Sequence, residues 1–234
     1  MPLDPNIKIG LNPVHNEPNQ SNSYTKLLGE LQYVANTTRP DISYAVNKLA
    51  SYTANPSLEH YGLLEQIIRY LVGTRDYGIT YRKSDGLNNV TNFFHGLARN
   101  YGPASNGEDN LFLGFADANF ANTDDYKSTT GYVFLASEGA ITWKSKRQTI
   151  IAMSLTESEY VALSEAGWEA FCLRNLYDKL GSLQIGPTVI KSDNEGSVIL
   201  SHNPQFHART KHIEIRHHWV RDLINDKILD VQSC

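Results

Sequence analysis

The sequence predicts a mixed α/β protein, with a sheet flanked by helices and a small, mainly helical region in front of it. Three observations predict it. Beyond Asn110, three β-like runs follow one another with turn residues between them. A long series of alanines and leucines at helical spacing comes next, and then another apolar strand that can return parallel to the first. Before Ser84 the apolar residues instead recur at three- and four-residue spacing, which is a helical pattern.

The elements follow in order. Residues 1–23 carry Pro2, Pro5, Pro13 and Pro18, spaced so that no helix persists, and are expected to form an extended arm. Residues 24–83 form the helical region. Its first helix shows the stripe Leu27, Leu28, Leu31, Val34 and Ala35 and ends before Arg39-Pro40. Asp41 is placed to cap a second helix through Ile42, Ala45, Val46 and Leu49. A third helix runs from Leu58 to Leu71, followed by a short strand from Gly78 to Arg82. Residues 84–110, rich in Asn, Gly, Ser and Asp, are a linker.

The second domain, 111–234, opens with strands at Leu111 to Ala116, Gly131 to Ala136 and Ala140 to Lys144. A long helix repeats through Ala162, Ala166, Ala170, Leu173, Leu176 and Leu180, with Gly181 placed to end it. A strand at Thr188 to Ser192, a short helix through Val198 and Leu200, and a last helix from about His212 to Asn225 complete the pattern.

Composition narrows the function. The 234 residues are 41% hydrophobic, enough for an ordinary core and too much for a disordered chain. No apolar run approaches the ~20 residues of a membrane span, and the opening residues lack the features of a signal peptide, so an intracellular protein without a membrane partner is expected. Cys172 and Cys234 are far apart and form no Cys-x-x-Cys pair, which excludes a disulfide framework or a thiolate zinc site. The net charge of −4 excludes nucleic-acid binding by bulk positive charge and leaves only local contacts.

Phosphodiester hydrolysis with two divalent cations requires carboxylates from distant segments to converge, because hard oxygen ligands must hold the ions ~4 Å apart. Asp117, at the end of the first strand, and Asp193, at the end of the fourth, are placed to meet if those strands are parallel neighbours. Glu159 falls on the same helical stripe as Ala162 and Ala166, the side that faces the sheet. Ordinary readings stand beside these. Asp after a strand is common turn chemistry, and Thr156-x-x-Glu159 also reads as a capping box, as does Ser154-x-x-Glu157 one step earlier.

Several ordered segments carry a resemblance. Gly114-Phe115-Ala116-Asp117-Ala118-Asn119 with Lys127-Ser128-Thr129-Thr130-Gly131-Tyr132, then Ile141 to Gln148, Ser154-Leu155-Thr156-Glu157-Ser158-Glu159-Tyr160, Ser192-Asp193-Asn194 and Arg209-Thr210-Lys211-His212-Ile213-Glu214, are similar to successive motifs of copia-type retrotransposon ribonuclease H domains. Tyr24 to Tyr33, Thr38 to Val46 and Arg69 to Thr74 resemble the connection between polymerase and ribonuclease H in the same polyproteins.

The resemblance implies an RNase H-like mixed five-stranded sheet and an endonuclease that cuts the RNA strand of RNA–DNA hybrids by two-metal-ion catalysis. It implies two Mg²⁺ ions, with Mn²⁺ as substitute, held by Asp117, Glu159, Asp193 and Glu214. Glu214 stands where relatives commonly have Asp. The partners implied are the hybrid and the polymerase portion of the same polyprotein, in a cytoplasmic virus-like particle or the nucleus. No Tyr-x-Asp-Asp occurs, so no polymerase activity is expected. Expected substrate contacts are Lys144, Arg209 and Lys211 to phosphate, Asn119, Ser128 and Asn194 near 2′-hydroxyls, and His218 on the last helix. His202, His207, His212 and His217 recur every fifth residue, a spacing that scatters them around a helix and does not build a zinc site. Two other readings are a catalytically silent remnant that clamps nucleic acid and an integrase-like strand transferase.

Overall fold

A computed structural model describes residues 1–4, 7, 9–13, 18–81, 112–123, 125–181, 184, 186–202 and 214–234, and for 18–21 and 214–218 it gives only the backbone element. The chain divides into two compact units, Met1–Ile79 with Lys144–Arg147, and Thr80–Trp143 with Gln148–Cys234.

In the first unit the apolar stripes build helices α1 (Pro18–Thr37), α2 (Ser43–Ala50) and α3 (Leu58–Gly73) around a core that includes Leu28, Leu31, Val46, Leu49, Leu64 and Ile67. Helix α1 starts at Pro18 and not at Tyr24. Proline is tolerated in a first helical turn, where its missing N–H has no partner to lose. The described residues before it are no free arm either. Leu3 and Ile9 are buried in the same core, and side chains hold the backbone at three points: Lys48 Nζ donates to the Ile7 carbonyl (2.8 Å), Tyr52 to Ile9 (2.9 Å) and Asn55 to Asn12 (3.1 Å).

Two local expectations are corrected. Asp41 does not cap α2, because its carboxylate is taken by a bidentate pair with Arg39 (2.9 and 2.7 Å) and by the Tyr70 hydroxyl (2.8 Å). Arg39 in turn donates to both the carbonyl and the hydroxyl of Thr74. Gly78 to Tyr81 is irregular and not a strand; it has no ladder partner among the described residues, and an unpaired strand leaves its backbone groups unsatisfied. The linker 84–110 lies outside the described residues.

The second unit, with the last four residues of β3 counted in the first, carries a five-stranded sheet of β1 (Leu113–Asn119), β2 (Thr129–Ala136), β3 (Gly139–Arg147), β4 (Thr188–Ser192) and β5 (Leu229–Ser233), in the order β3-β2-β1-β4-β5. Strands β1 and β2 are antiparallel; β1, β4 and β5 are parallel. Ser137 and Glu138 join β2 to β3 with positive φ values of 49° and 60°, the twist that a two-residue hairpin turn needs. This is the mixed five-stranded, RNase H-like sheet that the resemblance implies. Strand β5 had no separate signal in the apolar pattern; it forms by laying Leu229 to Ser233 along β4.

Helix α4 (Leu155–Lys179) packs over β1, β2 and β4 through Tyr160, Leu163, Ala166 and Ala170, with helices α5 (Glu195–His202) and α6 (Glu214–Asn225) beside it. The core needs a glycine at position 114, where a Cβ would lie 2.6 Å from the buried Phe134 ring.

Candidate active site

Three elements each bring one carboxylate to a common point. Strand β1 runs beyond its expected end, because its ladder with β2 continues through Asp117↔Gly131 to Asn119↔Thr129. Asp117 is therefore inside the strand. The parallel register Phe115↔Lys191, carried two residues further, sets Asp117 beside Asp193, the residue that follows β4. The chain turns there because the Asn194 carboxamide oxygen accepts from the Ser197 amide (2.8 Å) and starts α5.

The third carboxylate comes from α4. Ser154 caps this helix, accepting from the Glu157 amide (3.2 Å), while Glu157 Oε2 accepts from the Met153 amide (2.8 Å). Glu157 is thus used at the helix start. Glu159 has no such duty, and it lies in the second turn, where the helix dipole contributes less than at the first. It faces the sheet with Ala162 and Ala166, and only 4% of it is exposed.

One oxygen each from Asp117, Glu159 and Asp193 lie within 4.8 Å of one another. Asp117 and Asp193 open to solvent, and Glu159 closes the cluster from the inside. Burial pushes the Glu159 carboxyl up to about 8, and the charges of Asp117 and Asp193 add to the rise, against the Ala118 N–H. Asp117 is raised as well, first by desolvation of its carboxyl end and then by Asp193. Glu159 Oε2 is buried without a hydrogen-bond partner. Among the described residues no Lys or Arg forms an ion pair with any of the three. Hard oxygen donors, mutual repulsion and one orphaned buried oxygen fit a divalent cation.

No protein-family profile matches the chain. It is 36% identical over 209 residues to the Retrovirus-related Pol polyprotein from transposon TNT 1-94 of Nicotiana tabacum, which covers 89% of this chain and 14% of the polyprotein. It is 32% identical over 151 residues to Secreted RxLR effector protein 161 of Plasmopara viticola, which covers 64% of this chain and 90% of that protein. The chain belongs to the copia-type retrovirus-related Pol family. Among solved structures, LC11-RNase H1 isolated from compost is similar at 16% identity and a TM-score of 0.40, covering 53% of this chain and 84% of that one. The fold assignment rests on strand order and register, and not on that likeness.

The remaining expected site residues of this Pol chain divide unevenly. Asn119 is exposed at the end of β1, two positions beyond Asp117. Ser128 does not meet a substrate: it is fully buried, and its hydroxyl accepts from the Ala121 amide (3.1 Å), so it shapes the turn before β2. The Asn194 oxygen is committed to the helix start described above. Lys144 is exposed on β3. Arg209, Lys211 and His212 lie outside the described residues, as do the side chains of Glu214 and His218. His202 donates a ring N–H to the Val231 carbonyl (2.9 Å), which is a structural use and not a zinc ligand's. Arg221, on the last helix, is half-buried beside the Tyr160 hydroxyl.

The apolar pattern gave no warning of Gln148. It closes the motif Ile141 to Gln148, is 2% exposed, and bonds to both β2 and α4.

Proposed function

We propose that this chain is a ribonuclease H of the copia type, an endonuclease that hydrolyses the RNA strand of RNA–DNA hybrids during reverse transcription, inside the cell and beside the polymerase portion of the same polyprotein. The observation that carries the reading is the meeting of Asp117, Glu159 and Asp193 within 4.8 Å around a buried, unpartnered Glu159 oxygen. A turn or a cap needs none of this. Of the residues here, Asp117, Glu159 and Asp193 would hold Mg²⁺ or Mn²⁺, with Glu214 as the fourth candidate from the start of α6. Two such ions supply an activated water and charge neutralisation at the phosphate.

The chain's own residues supply the frame. Asp117 and Asp193, on neighbouring strands, present their carboxylates to the open side where a backbone phosphate can approach. Glu159 blocks the opposite side and keeps solvent from competing there. Burial first, and then the charges of Asp117 and Asp193, hold Glu159 protonated to about pH 8 in the metal-free protein, and a cation that offsets both is favoured there. Asn119, at the rim, is placed to donate to a ribose 2′-hydroxyl.

The deciding experiment is cleavage of an end-labelled RNA–DNA hybrid by the purified chain in Mg²⁺, in Mn²⁺ and in chelator. Cleavage confined to the RNA strand and dependent on the cation is expected. Hybrid binding without turnover in either metal would instead make the chain a silent clamp, and cutting of DNA ends would make it a strand transferase.

A further inference from the structure

Gln148 is buried, and its side chain bonds to both supports of the carboxylate cluster, β2 and α4. Its amide N–H donates to the Ser128 carbonyl (2.8 Å), which anchors it to the turn before β2. Its side-chain Nε2 then makes two bonds, to Thr130 Oγ1 (3.1 Å) and to the Ser158 carbonyl (2.9 Å). Thr130 pairs with Ala118 in the β1–β2 ladder, one position from the Asp117↔Gly131 pair. Ser158 immediately precedes Glu159 on α4. One carboxamide therefore ties the residue next to Glu159 to the strand beside Asp117.

The carboxamide oxygen is buried with no partner. An unmet buried acceptor is a cost, and an apolar side chain of the same size would avoid it. Stability alone does not select this residue. What only a primary amide provides here is two donors on one rigid plane, aimed at two acceptors on different elements. The neighbouring Thr and Ser side chains carry one donor each.

We propose that Gln148 is a positioning residue for the metal site, fixing the first turns of α4 against β2 so that Glu159 and Asp117 stay at the spacing a divalent cation requires. The inference rests on the ribonuclease reading of that site. Displacement of a reacting group by ~1 Å can cost about 10²-fold in rate, so a clamp that joins the neighbour of Glu159 to the strand beside Asp117 has that much to protect.

The test compares the wild-type chain with Q148L and with T130V, which removes one of the two acceptors and keeps the side-chain shape. Three quantities are read: thermal melting, Mn²⁺ uptake followed by the electron paramagnetic resonance of the free ion, and kcat and KM on a labelled hybrid. Q148L is expected to melt cooperatively and to lose Mn²⁺ affinity and kcat by roughly 10- to 100-fold with KM little changed. T130V is expected to show a smaller loss of the same kind, and the double variant no more than Q148L alone. If Q148L fails to fold, T130V carries the comparison.

Wild-type Mn²⁺ affinity and kcat in a folded Q148L, or in T130V where Q148L does not fold, would overturn the clamp while leaving the ribonuclease reading in place. A wild-type chain that takes up Mn²⁺ but cuts no hybrid sinks the ribonuclease reading alone, and the affinity comparison still decides the clamp. A wild-type chain that takes up no Mn²⁺ overturns both.

Discussion

Glu157 and Glu159 stand two positions apart on α4 and do opposite things. Glu157 Oε2 receives the Met153 amide at 2.8 Å, whereas Glu159 Oε2 is buried without any hydrogen-bond partner and lies in a cluster with two other carboxylates. The sequence pattern admitted a cap at either residue, so the two should separate cleanly on substitution. E157A, which removes the oxygen that accepts from Met153, is expected to lower stability by about 0.5–2 kcal/mol, the usual range for loss of a helix cap, with hybrid cleavage retained. E159Q is expected to abolish cation-dependent cleavage while the fold persists. Urea unfolding and the cleavage assay, run on both variants, check the pair; equal cleavage by both would remove Glu159 from the site.

The Glu159 carboxyl also predicts a pH dependence with a definite sign. In the folded chain it keeps its proton up to about 8, against an ordinary value of 4.5. The folded state therefore binds more protons than the unfolded state between those limits, and stability must fall as pH rises through that window. The contribution is complete below pH 4.5 and gone above about 8. Melting temperatures in chelator from pH 5 to 9 should decline for the wild type and flatten for E159Q. Adding Mg²⁺ should restore the melting temperature most at the alkaline end, and calorimetry in buffers of different ionisation enthalpy should show proton release on cation binding near pH 7.

Asp193 follows the last residue of β4 and faces Asp117 across the parallel pair. D193N keeps the size of the side chain and removes its charge. Loss of detectable hybrid cleavage is expected, with an unchanged circular dichroism spectrum. Full activity in D193N would end the two-metal proposal.

Gly114 tests the packing beneath the site. A Cβ there would sit 2.6 Å from Phe134 Cε1 in the fully buried core, so G114A should destabilise by about 1–3 kcal/mol, as overpacked cores do. F134L frees space at the same place. The double variant should recover part of the loss, and a double-mutant cycle by denaturant unfolding measures the coupling. Strict additivity would mean that the contact does not limit the core.

Much of the site could be read without coordinates, for reasons particular to each residue. Thr188 to Ser192 stood out as a short strand bounded by Asp193, and its limits agree with β4. Glu159 shared a helical stripe with alanines, and a small-residue stripe on a long helix has to face something flat. Asp117 was expected at a strand end and lies within the strand instead, because the extension to Asn119 is made by pairing with β2, through Asp117↔Gly131 to Asn119↔Thr129. Gly78 to Arg82 showed the converse. Its β-like composition found no ladder among the described residues. Ser128 and Asn194 were polar residues near the right segments, but local backbone amides had first claim on their oxygens.

The order of motifs and their periodicity were enough to determine the family resemblance, the mixed α/β class and the three carboxylates worth considering, because periodicity records which side of each element must be buried. Which glutamate caps α4, how far β1 extends, the existence of β5 along β4 and the bridge made by Gln148 were decided only in three dimensions. The last three depend on hydrogen bonds between segments distant in sequence, and the first on which glutamate the packed sheet buries; a one-dimensional pattern records the need for a partner but not its identity.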